Sequence, residues 1–429
     1  MIGTHAVVLT PMVGAAVDLS CLVDQVAIHY GRDDSDSQPE ANAATLDLST
    51  DTAETPFPPE LEVGGIIVVT TTIPGHPPST RFVGKVTDLS LGWDEAGAET
   101  PDRVTAQVIA TGPLADYGRR VVGATPWPQQ LDGARVAAVF AAANLTLNPA
   151  TSDPGTVQII SRDVDSQPAL DVAQGTATSA GGVVWSTPAG DVRYADANHR
   201  RNTVPALSLD ACDVLVTPTW SRTTEALVND VSIGYGVAAG GGEQPRWTGD
   251  RADSKDRFGT YGFTTATELA AASDAQALGT MLLTRNSSPV WVMTNLPVAV
   301  DDLDEADTVA LLALEMHSLV EVTGLPAAGS VPTSTYLWVE GWSETLAWGV
   351  HDVELTVSGY CRTSPPPRWN DAAPALTWDT AHGTWDDAAC LGPTPNLGRW
   401  DDVPATTRWD QVPPATTWDN YTPTTSGGR

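Results

Sequence analysis

Lysine is nearly missing from this chain: Lys85 and Lys255 stand against twenty arginines in 429 residues. Basic charge as a whole is scarce, with 22 Lys and Arg against 53 Asp and Glu and a formal net charge of −31. No stretch supplies the basic cluster that counterion release from nucleic-acid backbones requires, and an anionic membrane surface is excluded on the same ground. The charge reads as solubility and self-repulsion. Cysteine is also sparse. Four residues, at 21, 212, 361 and 390, show no CxxC spacing and are expected as reduced, buried small hydrophobes. No apolar run approaches the roughly 18 residues of a membrane span, and the first twenty residues predict no signal peptide.

Chemical motifs are equally thin. The seven histidines, at 5, 29, 76, 199, 317, 351 and 382, form no HExxH or other close ligand pair, so no metal site is predicted. There is no GxSxG, and GYGVAAGGG at 234–242 lacks the Lys-Ser/Thr of a phosphate loop. Asp301, Asp302, Asp304, Glu305 and Asp307 lack the glycine and closing glutamate of a calcium loop, and read as a solvated loop and helix start. The enzymatic alternative is a hydrolase built on Glu340 and Glu344 beside Trp338 and Trp342. It requires both carboxylates to face solvent across a cleft some 5–9 Å wide. No enzyme activity and no cofactor are expected.

What is present is β texture. Residues 336–360, YLWVEGWSETLAWGVHDVELTVSGY, give the clearest strand-turn-strand signal. Val353, Leu355 and Val357 alternate with polar residues, as a half-buried strand requires. The preceding strand carries Tyr336, Trp338 and Trp342 on one face with Leu337 and Val339 on the other, and residues 343–349 are expected to form a wide loop. Earlier, HAVVLTPMV, VDQVAIHYG, ATLDLST, GGIIVVTTTI, RFVGKVTDLSLGW and RVTAQVIATGPL predict a small closed barrel or sandwich over residues 1–122. Residues 123–205 read as an α+β module with a helix at DGARVAAVFAAAN, another near PALDVAQGTAT, and a hairpin around Pro188-Ala189-Gly190. Residues 206–362 return to strands, with a polar stretch at 246–262 and one long helix capped by Thr264 or Thr265.

Beyond Ser364-Pro-Pro-Pro367 the polymer changes. Trp369, Trp378, Trp385, Trp400, Trp409 and Trp418 are each followed by Asp or Asn, at spacings of 9, 7, 15, 9 and 9. Units this short and this rich in Pro and Thr cannot close a core. Their rings are therefore expected to dock on protein, the alternatives being a tethered linker or stacking on sugars in a glycan- or receptor-binding module.

VNDVSIGYG at 228–236, DSKDRFGTYG at 253–262, the helix TATELAAASDAQALGTMLLTRNSSP and YLWVEGWSETLAW at 336–348 resemble the tail-hub, or minor tail protein, family of long-tailed bacteriophages. HYGR at 29–32, ATLDLST at 44–50 and RFVGKVTDL at 81–89 resemble that family's first domain, so the likeness runs over residues 5–360. The Trp-Asp repeats are similar to those of hub proteins from phages of actinobacteria, which agrees with the arginine-over-lysine bias of a GC-rich genome. The resemblance implies a mainly β protein with two β-barrel-like tube-type domains, the α+β module between them and residues 363–429 as an extension. It implies a homotrimer at the virion tail tip, synthesised in the host cytoplasm. Its partners would be the distal tail protein, tail tube, tape measure and tip or fibre proteins, with DNA passing through unbound.

Overall fold

The structure, a computed structural model, describes residues 3–50, 57–94, 103–200, 204–211, 219–237, 242–325 and 334–359. All of them fall within the compact unit Met1–Pro366. The six repeat tryptophans, from Trp369 to Trp418, lie outside the described residues, as do Cys212, Cys361 and Cys390.

The first 111 residues supply seven strands: β1 (Thr4–Thr10), β2 (Val17–Asp18), β3 (Val23–Gly31), β4 (Ala43–Ser49), β5 (Ile66–Thr72), β6 (Ser79–Asp94) and β7 (Arg103–Thr111). They pair antiparallel in the order β3-β4-β7-β6-β5-β1-β2. Period-two alternation puts one side chain in two on the inner face. Leu9, Val26, Ile28, Leu46, Ile67, Val69, Phe82 and Val108 meet there in a core that is almost wholly aliphatic. Cys21 differs from expectation: it lies on a short 3-10 turn between β2 and β3 and is exposed.

A short helix, α1 (Pro113–Arg119), follows; residue-type patterns did not reveal it because seven residues hold too little periodicity. Proline fits its first turn, where no N–H partner is needed, and Leu114 and Tyr117 share its buried face. The α+β module then adds β8 (Val121–Val122), β9 (Gln130–Leu131), α2 (Asp132–Ala142), β10 (Gln158–Ile159), β11 (Gln167–Pro168), α3 (Ala169–Ala180), β12 (Val183–Ser186) and β13 (Val192–Ala195). Both expected helices and the expected hairpin are present. Val136, Val139 and Phe140 of α2 pack against Val172, Ala173 and Ala177 of α3 in a core of their own. Gly181 ends α3 in the left-handed region at φ 72°, and the Gly182 N–H reaches back to the Ala177 carbonyl.

The remainder contributes β14 (Leu207–Asp210), β15 (Trp220–Ser221), β16 (Asp230–Gly234), β17 (Arg246–Asp250), α4 (Ala252–Phe258), β18 (Gly262–Ala266), α5 (Ala272–Asn286), β19 (Val292–Met293), β20 (Asn295–Ala299), α6 (Glu305–Leu312), β21 (Leu319–Thr323), β22 (Thr335–Ala347) and β23 (Val350–Gly359). The polar stretch at 246–262 supplies β17, α4 and the first residue of β18. Thr264 and Thr265 lie in β18, parallel to β16, so they do not cap the long helix. That helix begins at Ala272, without a side-chain cap, and buries Ala275, Gly279 and Leu283. Asp304 caps α6 by accepting from the Asp307 N–H, as the acidic run suggested.

Strand β22 joins the two halves. Along one edge it pairs first with β21, through residues 335–338, and then with β3, through residues 341–347; β23 lies along its other edge. A single 12-stranded sheet results. Two expectations fail here for identifiable reasons. The connection to β23 is tight, not wide: Ala347 pairs with Val350, leaving only Trp348 and Gly349 in the turn, with Gly349 at φ 71° and Trp348 fully exposed. A bulge between Val339 and Gly341 leaves Glu340 as the extra residue, so side-chain parity reverses there. Trp338 and Trp342 consequently do not share a face: Trp342 enters the second core with Leu337 and Val339, whereas Trp338 lies under the Arg200 guanidinium, 5.8 Å from its ring centre.

Candidate functional site

The bulge and the residues around it hold two buried carboxylates paired with buried arginines. Gly31 of β3 pairs with Gly341 of β22, and the two backbones close so tightly that a Cβ on Gly31 would come within 2.5 Å of the Gly341 Cα. Only glycine at both positions permits that approach, and Gly31 also holds φ 87°. The Arg32 N–H donates to the Glu340 carbonyl at 3.1 Å.

That backbone geometry places the Glu340 side chain between two arginines. Arg32 donates from Nε at 2.8 Å and lies 2.7 Å away through Nη2; Arg200 donates from Nη1 at 2.7 Å and Nη2 at 2.5 Å; the Ser358 hydroxyl donates as well. Glu340 has no exposed surface. Burial alone would push its carboxyl upward, but the Arg200 and Arg32 charges prevail and hold it down at about 2.

Four residues along the strand, Glu344 repeats the arrangement. Arg81 of β6 donates Nε to both carboxylate oxygens at 3.0 Å and Nη2 to one at 2.9 Å, while its Nη1 reaches the Leu312 carbonyl at 2.6 Å. His351 Nε2 lies 2.8 Å from the other side of the carboxylate, and the His5 ring meets the His351 ring edge-on at 5.1 Å. Burial again opposes ionisation, and Arg81 with His351 again overcomes it, so Glu344 too is held near 2. The neighbouring His5 is pushed the other way, down to about 4, first by burial and then by His351.

Glu344 sits between the cores. On its own face of β22, Trp342 enters the second core, stacked on Tyr30 at 3.9 Å, and Leu346 enters the first. The two carboxylates of β22 bind the halves of the sheet through side chains from β6 and β23, from Arg32 just past β3 and from Arg200 in the loop after β13. Neither faces solvent across a groove: Glu340 is held by two arginines, and Glu344 by Arg81 with the His351 ring beside it. That geometry removes both from the acid and nucleophile roles a hydrolase would need.

The arginine partners were not legible in the sequence: Arg32, Arg81 and Arg200 lie 308, 263 and 140 residues from the carboxylates they meet. The available signal was two acidic residues inside an apolar strand, which in a soluble core calls for buried counter-charges. The docking residues expected from sequence, Trp369, Trp378, Trp385, Trp400, Trp409 and Trp418, lie outside the described residues. Within those residues no group of three or more His, Cys, Asp or Glu side chains is arranged to hold a metal, and no helix is long and apolar enough to cross a membrane.

No protein-family model and no curated protein sequence matches the chain. Solved structures do. The 43 kDa tail protein of prophage MuSo2 from Shewanella oneidensis superposes with a TM-score of 0.56 at 12% identity, over 82% of this chain and 98% of that one. The tail protein from Neisseria meningitidis MC58 gives 0.57 at 11% identity, over 84% and 98%. Prophage tail protein gp18 from Listeria monocytogenes EGD-e gives 0.50 at 10% identity, over 82% and 94%. At such identities the agreement is one of backbone, and it extends over nearly the whole of each tail protein: this chain has the fold of phage tail proteins.

Proposed function

We propose that the chain is a structural component of a phage tail, acting as the hub at the tail tip. The observation that carries this reading is the fold shared with three prophage tail proteins over 94–98% of their lengths. The sheet junction supports it. A part that must transmit load between tube and tip benefits from one hydrogen-bonded sheet locked by buried ion pairs, because shearing the halves apart would strand charges in a dry interior. Each half of the sheet, residues 1–122 and 206–362, then acts as a tube-type unit, with 123–205 between them. Three chains would present six such units to a sixfold tube. Ring closure would also cover sheet edges that a lone chain exposes.

On this reading the Trp-Asp extension, residues 363–429, clamps neighbouring tip or fibre proteins, and the acidic surface keeps passing DNA from adhering. Trp348, fully exposed at the hairpin tip, fits a protein that meets other chains. Light scattering on the purified full-length chain, alone and with the neighbouring tail proteins, tests the assignment. Three times the chain mass, or assembly to it with those partners, supports the hub. A persistent monomer that ignores tail proteins and is retained on cell-wall polysaccharide overturns it in favour of glycan binding. Truncation after Arg362 should abolish partner capture while leaving the trimer intact.

A further inference from the structure

Beside the Glu340 cluster a cleft of about 430 Å³ opens, lined by Arg32 and Arg200, by Leu278, Met281, Leu282 and Arg285 of α5, and by His199 and His317. His317 is the anomaly. It is a non-glycine residue at φ 71°, its N–H is fixed to the Val339 carbonyl at 2.8 Å, and the residue is only 8% exposed. Neither ring nitrogen has a hydrogen-bond partner. The ring meets that of Trp185 edge-on at 5.1 Å and that of His199 at a tilt at 5.3 Å. A left-handed, buried imidazole with both nitrogens unsatisfied is costly twice over, and such a cost is retained where a ligand meets the group.

The surrounding charge indicates what kind of ligand. In a chain of net charge −31, three arginines line this one cleft, and Arg32 and Arg200 already share the single carboxylate of Glu340. The Arg285 guanidinium is lowered to about 10, chiefly by burial and then by the Arg200 charge, so it feels a second cation close by. His317 is pushed well below the ordinary histidine range by burial, then by Arg200, Arg32 and His199, and stays a neutral ring able to donate one N–H. Three acidic residues also line the cleft: Asp36 and Glu225 are exposed, and half-buried Asp196 accepts the Asn198 N–H.

We propose that this cleft is an oxyanion-binding site, in which Arg200, Arg285 and the His317 imidazole hold a phosphate- or carboxylate-type group while Leu278, Met281 and Leu282 accept an apolar body attached to it. Guanidinium groups and a neutral imidazole N–H are complementary to such oxygens, and partial burial keeps the interaction from being screened. The proposal does not depend on the tail assignment.

The test uses the full-length chain. Inorganic phosphate, benzoate and chloride are titrated at matched ionic strength, with Tm followed by scanning fluorimetry and the His317 ring followed by 15N NMR. Phosphate or benzoate should raise Tm above the chloride control and shift the His317 nitrogens, saturably. Benzoate acting at lower concentration than phosphate identifies a carboxylate on an apolar body; the reverse order identifies a phosphate. Arg285→Gln should weaken binding at least tenfold. His317→Asn, which tolerates the left-handed backbone, should weaken it several-fold. Identical responses to all three anions, an unmoved His317 signal, or undiminished binding in R285Q would each overturn the proposal.

Discussion

The two cores on either side of the β22 junction are built differently. The first, built mainly from β1–β7 with Leu346 of β22, is aliphatic apart from Phe82, and its side chains need nothing but exclusion from water. The second takes in Tyr30, Trp185 and Trp342, together with Met293 and Met316, and the buried indole nitrogens of Trp185 and Trp342 have no partner. Large amphipathic rings fill irregular space where strands from distant parts of the chain converge, but they bring polar atoms that geometry does not satisfy. The first core shows how period-two alternation alone makes a sheet. The second shows what is added when a sheet must also be joined to another: ion pairs, a bulge, a glycine pair and a cleft.

The contrast can be broken most severely at the junction. Glu344→Gln leaves Arg81 buried without its counter-charge and should cost about 3–5 kcal/mol in urea unfolding. The double variant Glu344→Leu with Arg81→Met should recover most of that loss, because an apolar pair of similar volume removes both desolvation costs. No recovery in the double variant would mean that the pair specifies the junction by more than charge balance. In the plain core, Leu46→Ala should cost roughly 2–5 kcal/mol with no comparable rescue by a single partner change. Gly31→Ala, at φ 87° and against the Gly341 backbone, should cost at least about 1–3 kcal/mol although it adds one methyl group.

pH sharpens the comparison further. Glu340 and Glu344 are both held near 2, below their unfolded values, so the native state binds fewer protons than the unfolded chain in acid. Their contribution is fully present above about pH 4.5 and is lost as pH falls toward 2. His5, lowered to about 4, adds a separate loss between its unfolded value of about 6.5 and 4. Stability followed by urea titration from pH 7 to 3 should fall throughout. Glu344→Gln should flatten the lower part of the curve and His5→Gln the upper part, whereas Leu46→Ala should lower the curve without changing its slope. The smallest effect belongs to Trp348→Ser, expected within about 0.5 kcal/mol of wild type in the isolated chain. A clear loss of assembly in the same variant would assign the exposed ring to a subunit contact.

Residue patterns by themselves determined the β character, most strand positions in the first half, the helices α2 and α3 with their hairpin, and the inward set Val353, Leu355 and Val357. These depend on neighbours two to four positions apart, and local spacing records them directly. Spacing could not show the bulge at Glu340, because an inserted residue reverses side-chain parity only when a partner strand is in place to define the register. It could not show the tight turn at Trp348-Gly349, where Trp348 stands in place of the usual turn residues, nor the cap-free start of α5 at Ala272. Tertiary structure alone decided the roles of Glu340 and Glu344. As letters they fit a hydrolytic pair; as buried carboxylates gripped by Arg32, Arg200 and Arg81 from far along the chain they are clamps. Long-range electrostatic pairing leaves no period in a sequence, and its partners are chosen by the fold that brings them within reach.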